Sequence, residues 1–270
     1  MPASLHLLQF FTVVVLLLLL LRTVTAVDEM PVRQMQPLLF EAASKHSATV
    51  IFLHGLGDTG HGWASAVENW RMRSRLNHVK FMLPHAPMIP ITCNGGMQTP
   101  GWYDIAALTG RVEDLRNNQD ETGLLRSREY VSGLIQAEID AGIPSNRIVL
   151  GGFSQGGAVS LFTGLTGGFK LAGIIGMSSY MPLDSKLAGY LEKSDLNRKT
   201  PVQMCHGSAD PVVPTALGKE THDMLKKLGF DVDLTIYPGL GHSACLEEIE
   251  EVEGFIGKCL PADADKKSEL

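Results

Sequence analysis

The chain has 270 residues, of which 44% are hydrophobic and 19% charged, and it carries a net charge of −6. That length suits one large α/β domain and is short for two, and the composition excludes disordered and collagen-like classes. No run of five or more Lys or Arg occurs, which argues against nucleic acid as a partner.

The chain opens with an apolar leader. Leu7–Leu21 is 15 residues long and includes six consecutive leucines, Leu16 to Leu21. A spanning helix needs roughly 17–25 residues, and extending the stretch toward Ala26 still allows a span. Val24-Thr25-Ala26 resembles the cleavage site of a secretory signal peptide, whereas Arg22, placed after the apolar stretch, favours a signal anchor with the folded part in the cytosol. Both readings stand, and both leave residues 1–26 outside the folded domain. At the other end, residues 262–270 read as a polar tail. Its final Lys267-Ser268-Glu269-Leu270 resembles the K-D-E-L retrieval signal but has Ser in second position.

Between these ends, apolar runs alternate with helical patterns. Ala48–Leu53 predicts a buried strand, Ala64–Arg75 a helix and Val79–Leu83 a second strand. Residues 84–101 are rich in Pro and Gly without a period, and predict a long loop. Leu124, Leu125, Val131, Leu134, Ile135 and Ile139 recur at helical spacing within residues 121–141. Strands are expected at 147–151, 171–177, 201–205 and 232–237, and helices at 155–165, 216–228 and 246–260. Gly229 is a normal helix stop. Runs that are apolar on both faces, separated by helices, indicate a mostly parallel sheet covered by helices, in one domain spanning residues 27–261.

Gly152-Phe153-Ser154-Gln155-Gly156 matches G-x-S-x-G. The pentapeptide alone is a weak signal, since a Gly-rich turn with an N-capping serine has the same letters. Here it follows the strand Ile148-Val149-Leu150 and opens a helical run, the strand–turn–helix setting that a nucleophile elbow needs. In that class the order along the chain is Ser, then Asp or Glu, then His. Three histidines follow Ser154: His206 ends a strand, His222 lies in a helical pattern, and His242 lies in the Gly-rich loop after the last strand. A loop lets an imidazole reach over the sheet edge, so His242 is the expected base. Asp210 leads among the intervening acids. It follows a strand through His206-Gly-Ser-Ala and precedes the apolar Pro211-Val-Val-Pro214, which can bury it, whereas Asp231 and Asp233 flank a strand start. The loop Leu53-His-Gly-Leu-Gly-Asp58 follows the first buried strand, so the backbone N–H groups of Leu56 and Gln155 are candidates for an oxyanion hole. The four cysteines show neither CxxC nor zinc-like spacing. No metal or organic cofactor is called for.

Several longer stretches resemble the acyl-protein thioesterases of the phospholipase/carboxylesterase family. They are Val50–Trp63 (VIFLHGLGDTGHGW), Pro84-His-Ala-Pro87, Gly142–Ile148 (GIPSNRI), Leu150–Gly157 (LGGFSQGG), His206-Gly207 and Asp210-Pro-Val-Val-Pro214. The resemblance runs from about residue 48 to 261. It implies an α/β-hydrolase fold and hydrolysis of the thioester joining palmitate to protein cysteines. Lysophospholipase and carboxylesterase activities belong to the same group. It also implies Ser154 as nucleophile, Asp210 as acid, His242 as base, and Leu56 and Gln155 as oxyanion donors. The implied partners are S-acylated proteins, with lysophospholipids and a membrane surface beside them. The implied location is cytoplasmic, with the leader pointing to membrane association or the secretory pathway. Relatives often have Trp where Tyr180 stands, a difference that bears on acyl-chain fit. Met88, Ile91 and Val212 are further candidates to line an acyl groove. A non-catalytic lipid-binding module is the reading from another class, and it would be expected to lack one of Ser154, Asp210 and His242.

Overall fold

Six-residue runs such as ATVIFL turn alternate side chains to opposite faces, and both faces must be covered for all of them to be buried. The computed structural model, which describes residues 35–262, shows how this is done. Strands β1 (Leu38–Phe40), β2 (Ala48–Leu53), β3 (Val79–Leu83), β6 (Ile148–Phe153), β7 (Gly173–Met177), β8 (Val202–Gly207) and β9 (Val232–Tyr237) form one sheet in the order β1-β3-β2-β6-β7-β8-β9. β1 runs antiparallel to β3, and every other pairing is parallel. Ile51 and Leu53 face one core with Leu150, Ile174 and Met204, whereas Val50 and Phe52 face the other with Val149, Ile175 and Cys205.

Helices α1 (Ala64–Met72) and α7 (Leu246–Cys259) cover the second face through Val67, Trp70, Val252 and Ile256. The Trp70 indole N–H ties them together by donating to the Ile249 carbonyl at 2.9 Å. Helix α3 (Glu121–Asp140), α4 (Gln155–Thr166) and α6 (Thr215–Lys227) cover the first face, with the short helices α2 (Val112–Arg116) and α5 (Leu187–Leu191) beside them. Leu124, Val131, Ile135, Phe162 and Leu217 supply the apolar contacts. All twelve residues of α4 are buried, so this helix packs as part of the core. The expected mostly parallel sheet covered by helices is therefore the fold.

The expected long loop at 84–101 is corrected in part. It contains a small antiparallel hairpin, β4 (Met88–Ile91) and β5 (Met97–Pro100), with Met88 opposite Pro100 and Ile91 opposite Met97. Each strand carries a proline, which demotes it on propensity. The hairpin stands apart from the main sheet, where the missing N–H groups cost no ladder bond. The leader at 1–26 lies outside the described residues, as does the polar tail after Ala262. Among the described residues, no helix is long and apolar enough to cross a membrane.

Candidate active site

Ser154 stands between the end of β6 and the start of α4 with φ 53° and ψ −121°. A non-glycine residue held there is strained, and its neighbours must enforce the turn. They do so through close backbone approaches. A Cβ on Gly152 would lie 2.5 Å from the Gly156 carbonyl carbon and oxygen, and one on Gly156 would lie 2.3 Å from the Leu53 carbonyl oxygen. The two glycines of the pentapeptide are thus required by space, and they let α4 press against the ends of β6 and β2. The Ser154 amide is held by the Met177 carbonyl at 2.8 Å.

His242 comes from the loop after β9. That loop can reach the serine because Gly207 ends β8: a Cβ there would lie 2.2 Å from the Leu240 carbonyl oxygen. Ala209 also donates its amide to Leu240, and Gly239 donates to the Ser208 hydroxyl. The His242 ring packs on Phe153 with centroids 4.8 Å apart. Its Nε2 lies 2.9 Å from Ser154 Oγ and its Nδ1 lies 2.7 Å from Asp210 Oδ2. A carboxylate at Nδ1 requires hydrogen there, which leaves Nε2 as the acceptor facing the serine hydroxyl.

The Asp210 side chain is fully buried. Burial alone would raise its pKa. Donors from His206 and His242, the imidazole charge and the Val212 amide outweigh that, and hold the carboxyl well below the usual carboxylate range. Oδ1 accepts the Val212 and Val213 amides, both at 2.9 Å.

The oxyanion candidates lie beside the serine. A Cβ on Gly55 would lie 3.3 Å from Ser154 Cβ, which places the Gly55–Leu56 turn against the nucleophile. Neither the Leu56 nor the Gln155 amide takes a backbone acceptor among the described residues. The Gln155 side chain is occupied elsewhere: Oε1 accepts the Trp102 amide at 2.9 Å and Nε2 donates to the Tyr103 carbonyl at 2.6 Å. His54 fixes the same turn from below. Its Nδ1 donates to Gly55 O at 2.7 Å and its Nε2 accepts the Ala86 amide at 3.0 Å. Burial pushes its pKa down, in keeping with this neutral tautomer.

The four groove candidates do not share one setting. Met88 is 53% exposed and Val212 half-buried. Ile91 is fully buried. With Ile89 and Leu56 it converges on Gly101, where a Cβ would lie 3.0–3.4 Å from the three side chains. Tyr180 is buried, and its hydroxyl lies 3.1 Å from that of Tyr103. Burial pushes the Tyr180 hydroxyl up to about 12.

A profile of the phospholipase/carboxylesterase family matches residues 36–260. The chain belongs to this family. It is 60% identical over 237 residues to acyl-protein thioesterase 1 of Neurospora crassa, covering 87% of this chain and 97% of that protein. It is 49% identical over 231 residues to acyl-protein thioesterase 1 of Emericella nidulans, covering 84% and 96%. Among solved structures, acyl-protein thioesterase 2 of Zea mays superposes with a TM-score of 0.73 at 29% identity, covering 83% of this chain and 99% of that one. SOBER1 of Arabidopsis thaliana superposes with a TM-score of 0.72 at 30% identity, covering 79% and 99%. As a member of the phospholipase/carboxylesterase family the protein is a hydrolase with the α/β-hydrolase fold.

The roles of His54, His206 and the Gln155 side chain are not evident from the sequence motifs. One signal was available for the histidines. His54 directly follows the apolar strand β2 and His206 stands near the end of β8 after Met204-Cys205, and each precedes a glycine, His54-Gly55 and His206-Gly207. A polar residue in such a run must find partners.

Proposed function

We propose that the protein is a serine hydrolase that cleaves the thioester linking palmitate to protein cysteines. The observation that carries the chemistry is the relay from Ser154 Oγ through His242 to Asp210, at 2.9 and 2.7 Å. The kinship with acyl-protein thioesterases, at up to 60% identity, supports the choice of substrate.

In this reading Ser154 Oγ attacks the thioester carbonyl carbon while His242 Nε2 takes the hydroxyl proton. Asp210 holds the imidazole in the required tautomer and stabilises the imidazolium. The Leu56 and Gln155 amides donate to the tetrahedral oxyanion. The C–S bond then breaks, and the cysteine sulfur takes the proton from His242 and leaves as the thiol. Water attacks the resulting serine ester, giving its proton to His242, and the fatty acid leaves as the serine is restored. Met88 and Val212, at the surface, are the proposed contacts for the start of the acyl chain. Ile91 and Tyr180 act from beneath by shaping the wall.

Lysophospholipid or carboxylester hydrolysis is the second reading, and the family's description favours it. Both readings bring the enzyme to a membrane surface, where its acylated partners lie. Cytoplasmic residence with membrane association through the leader is the proposed location.

The test compares hydrolysis of a palmitoyl-thioester peptide and of a lysophospholipid by the full chain and by Ser154→Ala. The wild type is expected to favour the thioester, and Ser154→Ala to lose activity by about 10⁴-fold or more. A wild type that leaves the thioester untouched refutes the substrate. A fully active Ser154→Ala refutes the nucleophile.

A further inference from the structure

His206 lies in β8 with its ring fully buried. Its Nε2 is 2.9 Å from the Val213 carbonyl oxygen and 3.4 Å from Asp210 Oδ2. Both neighbours accept, so hydrogen resides on Nε2 and Nδ1 is the bare nitrogen. Nδ1 is buried with no hydrogen-bond partner. It faces Gly218 of α6, where a Cβ would come within 2.5 Å of it.

These contacts form a closed cycle. His206 donates to the Val213 carbonyl, Val213 donates its amide to Asp210 Oδ1, and the other Asp210 oxygen stands beside His206 Nε2. That oxygen, Oδ2, is also the one that receives His242 Nδ1. Three hydrogen-bond donors on the two carboxylate oxygens, with His206 Nε2–H 3.4 Å from Oδ2, leave the carboxylate one orientation. The cycle also fixes the 210–213 turn to the strand that bears it.

We propose that His206 is a positioning residue for the reaction: its Nε2–H, shared between Val213 O and Asp210 Oδ2, fixes the carboxylate that orients His242. The proposal rests on the triad reading above. Gly218 is its counterpart on α6. A glycine inside a helix is less favourable than an alanine. At 218 this residue is what allows the imidazole to lie against the helix.

The removal of one donor has a direction. More of the carboxylate's charge then falls on His242, the imidazolium is held more tightly, and the acid limb of the kcat/KM profile moves to higher pH. At the same time the carboxylate gains freedom, so kcat falls.

The experiment uses the full-length enzyme with a palmitoyl-thioester peptide, and reads kcat, KM, the pH profile and Tm for His206→Asn, His206→Gln, Gly218→Ala and Ser154→Ala. The Gln amide nitrogen reaches about as far as the imidazole Nε2, whereas that of Asn falls one bond short. His206→Asn is expected to lose about 10- to 100-fold in kcat with little change in KM, and to shift the acid limb upward. His206→Gln is expected to recover most of the rate with the wild-type limb. Gly218→Ala, which pushes the ring off its seat, is expected to follow His206→Asn in direction, and serves if the Asn variant does not fold. Equal kinetics for Asn and Gln overturn the proposal, as does a loss confined to Tm or KM with an unmoved limb. If Ser154→Ala remains active, the triad reading itself fails. If Ser154→Ala is dead while His206→Asn and Gly218→Ala keep wild-type kcat, only the role of His206 fails.

Discussion

Gly156 stands so close to Leu53 that a Cβ on it would lie 2.3 Å from the Leu53 carbonyl oxygen and 2.5 Å from that of His54. Both obstacles are backbone, which cannot swing aside as a side chain can. Gly156→Ala is therefore expected to move α4 or the 53–56 turn, and each carries half of the candidate oxyanion hole. A displacement of about 1 Å costs on the order of 100-fold in rate, and overpacking costs about 1–3 kcal/mol in stability. Gly133 is the control, because a Cβ there meets nothing within 4 Å on the outer face of α3. Gly133→Ala is expected to add about 0.5–1 kcal/mol with unchanged kcat. Thermal unfolding and steady-state kinetics on the two variants check both, and a Gly156→Ala enzyme with wild-type rates would defeat the close-packing argument.

The strain at Ser154 predicts a trade between activity and stability. Its φ of 53° and ψ of −121° cost about 1–3 kcal/mol for a residue with a Cβ, and much less for glycine. Ser154→Gly is expected to abolish hydrolysis and raise Tm by a few degrees, on the scale of about 2–4 °C per kcal/mol. Ser154→Ala keeps the Cβ and is expected to leave Tm nearly unchanged. Calorimetry on both separates the strain from the hydroxyl, and a Tm for Ser154→Gly below that of Ser154→Ala counts against stored strain.

Gln155 does its work with both its ends. Its amide is the proposed oxyanion donor, and its buried side chain pins Trp102 and Tyr103. Gln155→Ala leaves the Trp102 amide and the Tyr103 carbonyl without these partners, at about 1–3 kcal/mol each. Gln155→Glu keeps an acceptor for Trp102 but loses the donor to Tyr103. The expected order of stability is wild type, then Glu, then Ala, with urea unfolding as the measure. A Gln155→Ala variant as stable as wild type would show that water or a shift of the 102–103 segment replaces both bonds.

The strands β2, β3 and β9 were legible to the residue in the sequence, because apolar and β-branched residues dominate them, interrupted only by Lys80 in β3 and Asp233 in β9. β1 was not, since Leu38–Phe40 is three residues long and takes its place only by pairing with β3. The hairpin β4–β5 was hidden by Pro90 and Pro100, whose cost vanishes on strands that join no larger sheet. In the site, the order Ser, Asp, His and the Gly-rich loops nominated Ser154, Asp210 and His242. His206 stayed invisible as a partner of Asp210 because their relation depends on how the 210–213 turn folds back onto β8. No spacing rule states that.

Asp210 couples the site to acid stability. Its folded-state pKa lies below the usual value, so its contribution is present above the unfolded pKa of about 3.9 and is lost as pH falls toward the folded value. Asp210→Asn is expected to lose hydrolysis by orders of magnitude, because the amide can present a hydrogen to Nδ1 and favour the wrong tautomer. It is also expected to unfold with a shallower dependence on pH below about 4. Unfolding curves for both proteins from about pH 5 down to about pH 2, the upper part of the range over which this contribution is lost, test this, and parallel curves would show that another group dominates.

Glu248 gives the opposite sign. It lies near the start of α7, six residues beyond His242, with its side chain fully buried and neither carboxyl oxygen in a hydrogen bond. Burial raises its pKa to about 7; the nearby Cys245 amide offsets this in part, and the Glu251 charge adds to it. The folded chain therefore binds a proton that the unfolded chain has released, across the window from about 4.3, the ordinary glutamate value, up to about 7. Stability attributable to this group falls as pH rises through that window and reaches its floor above it. The total is on the order of 3 kcal/mol. Gln is neutral at every pH, so Glu248→Gln is expected to match wild type only below about pH 4, where Glu248 is protonated in both states, and to exceed its stability near pH 8 (about one unit above the window). The difference between the two unfolding free energies, followed by urea titration across that range, cancels every group the proteins share. A difference that stays flat with pH would falsify the assignment of a buried, protonated Glu248. A difference that grows with pH would place an ionisable acid directly beneath the helix that follows the His242 loop.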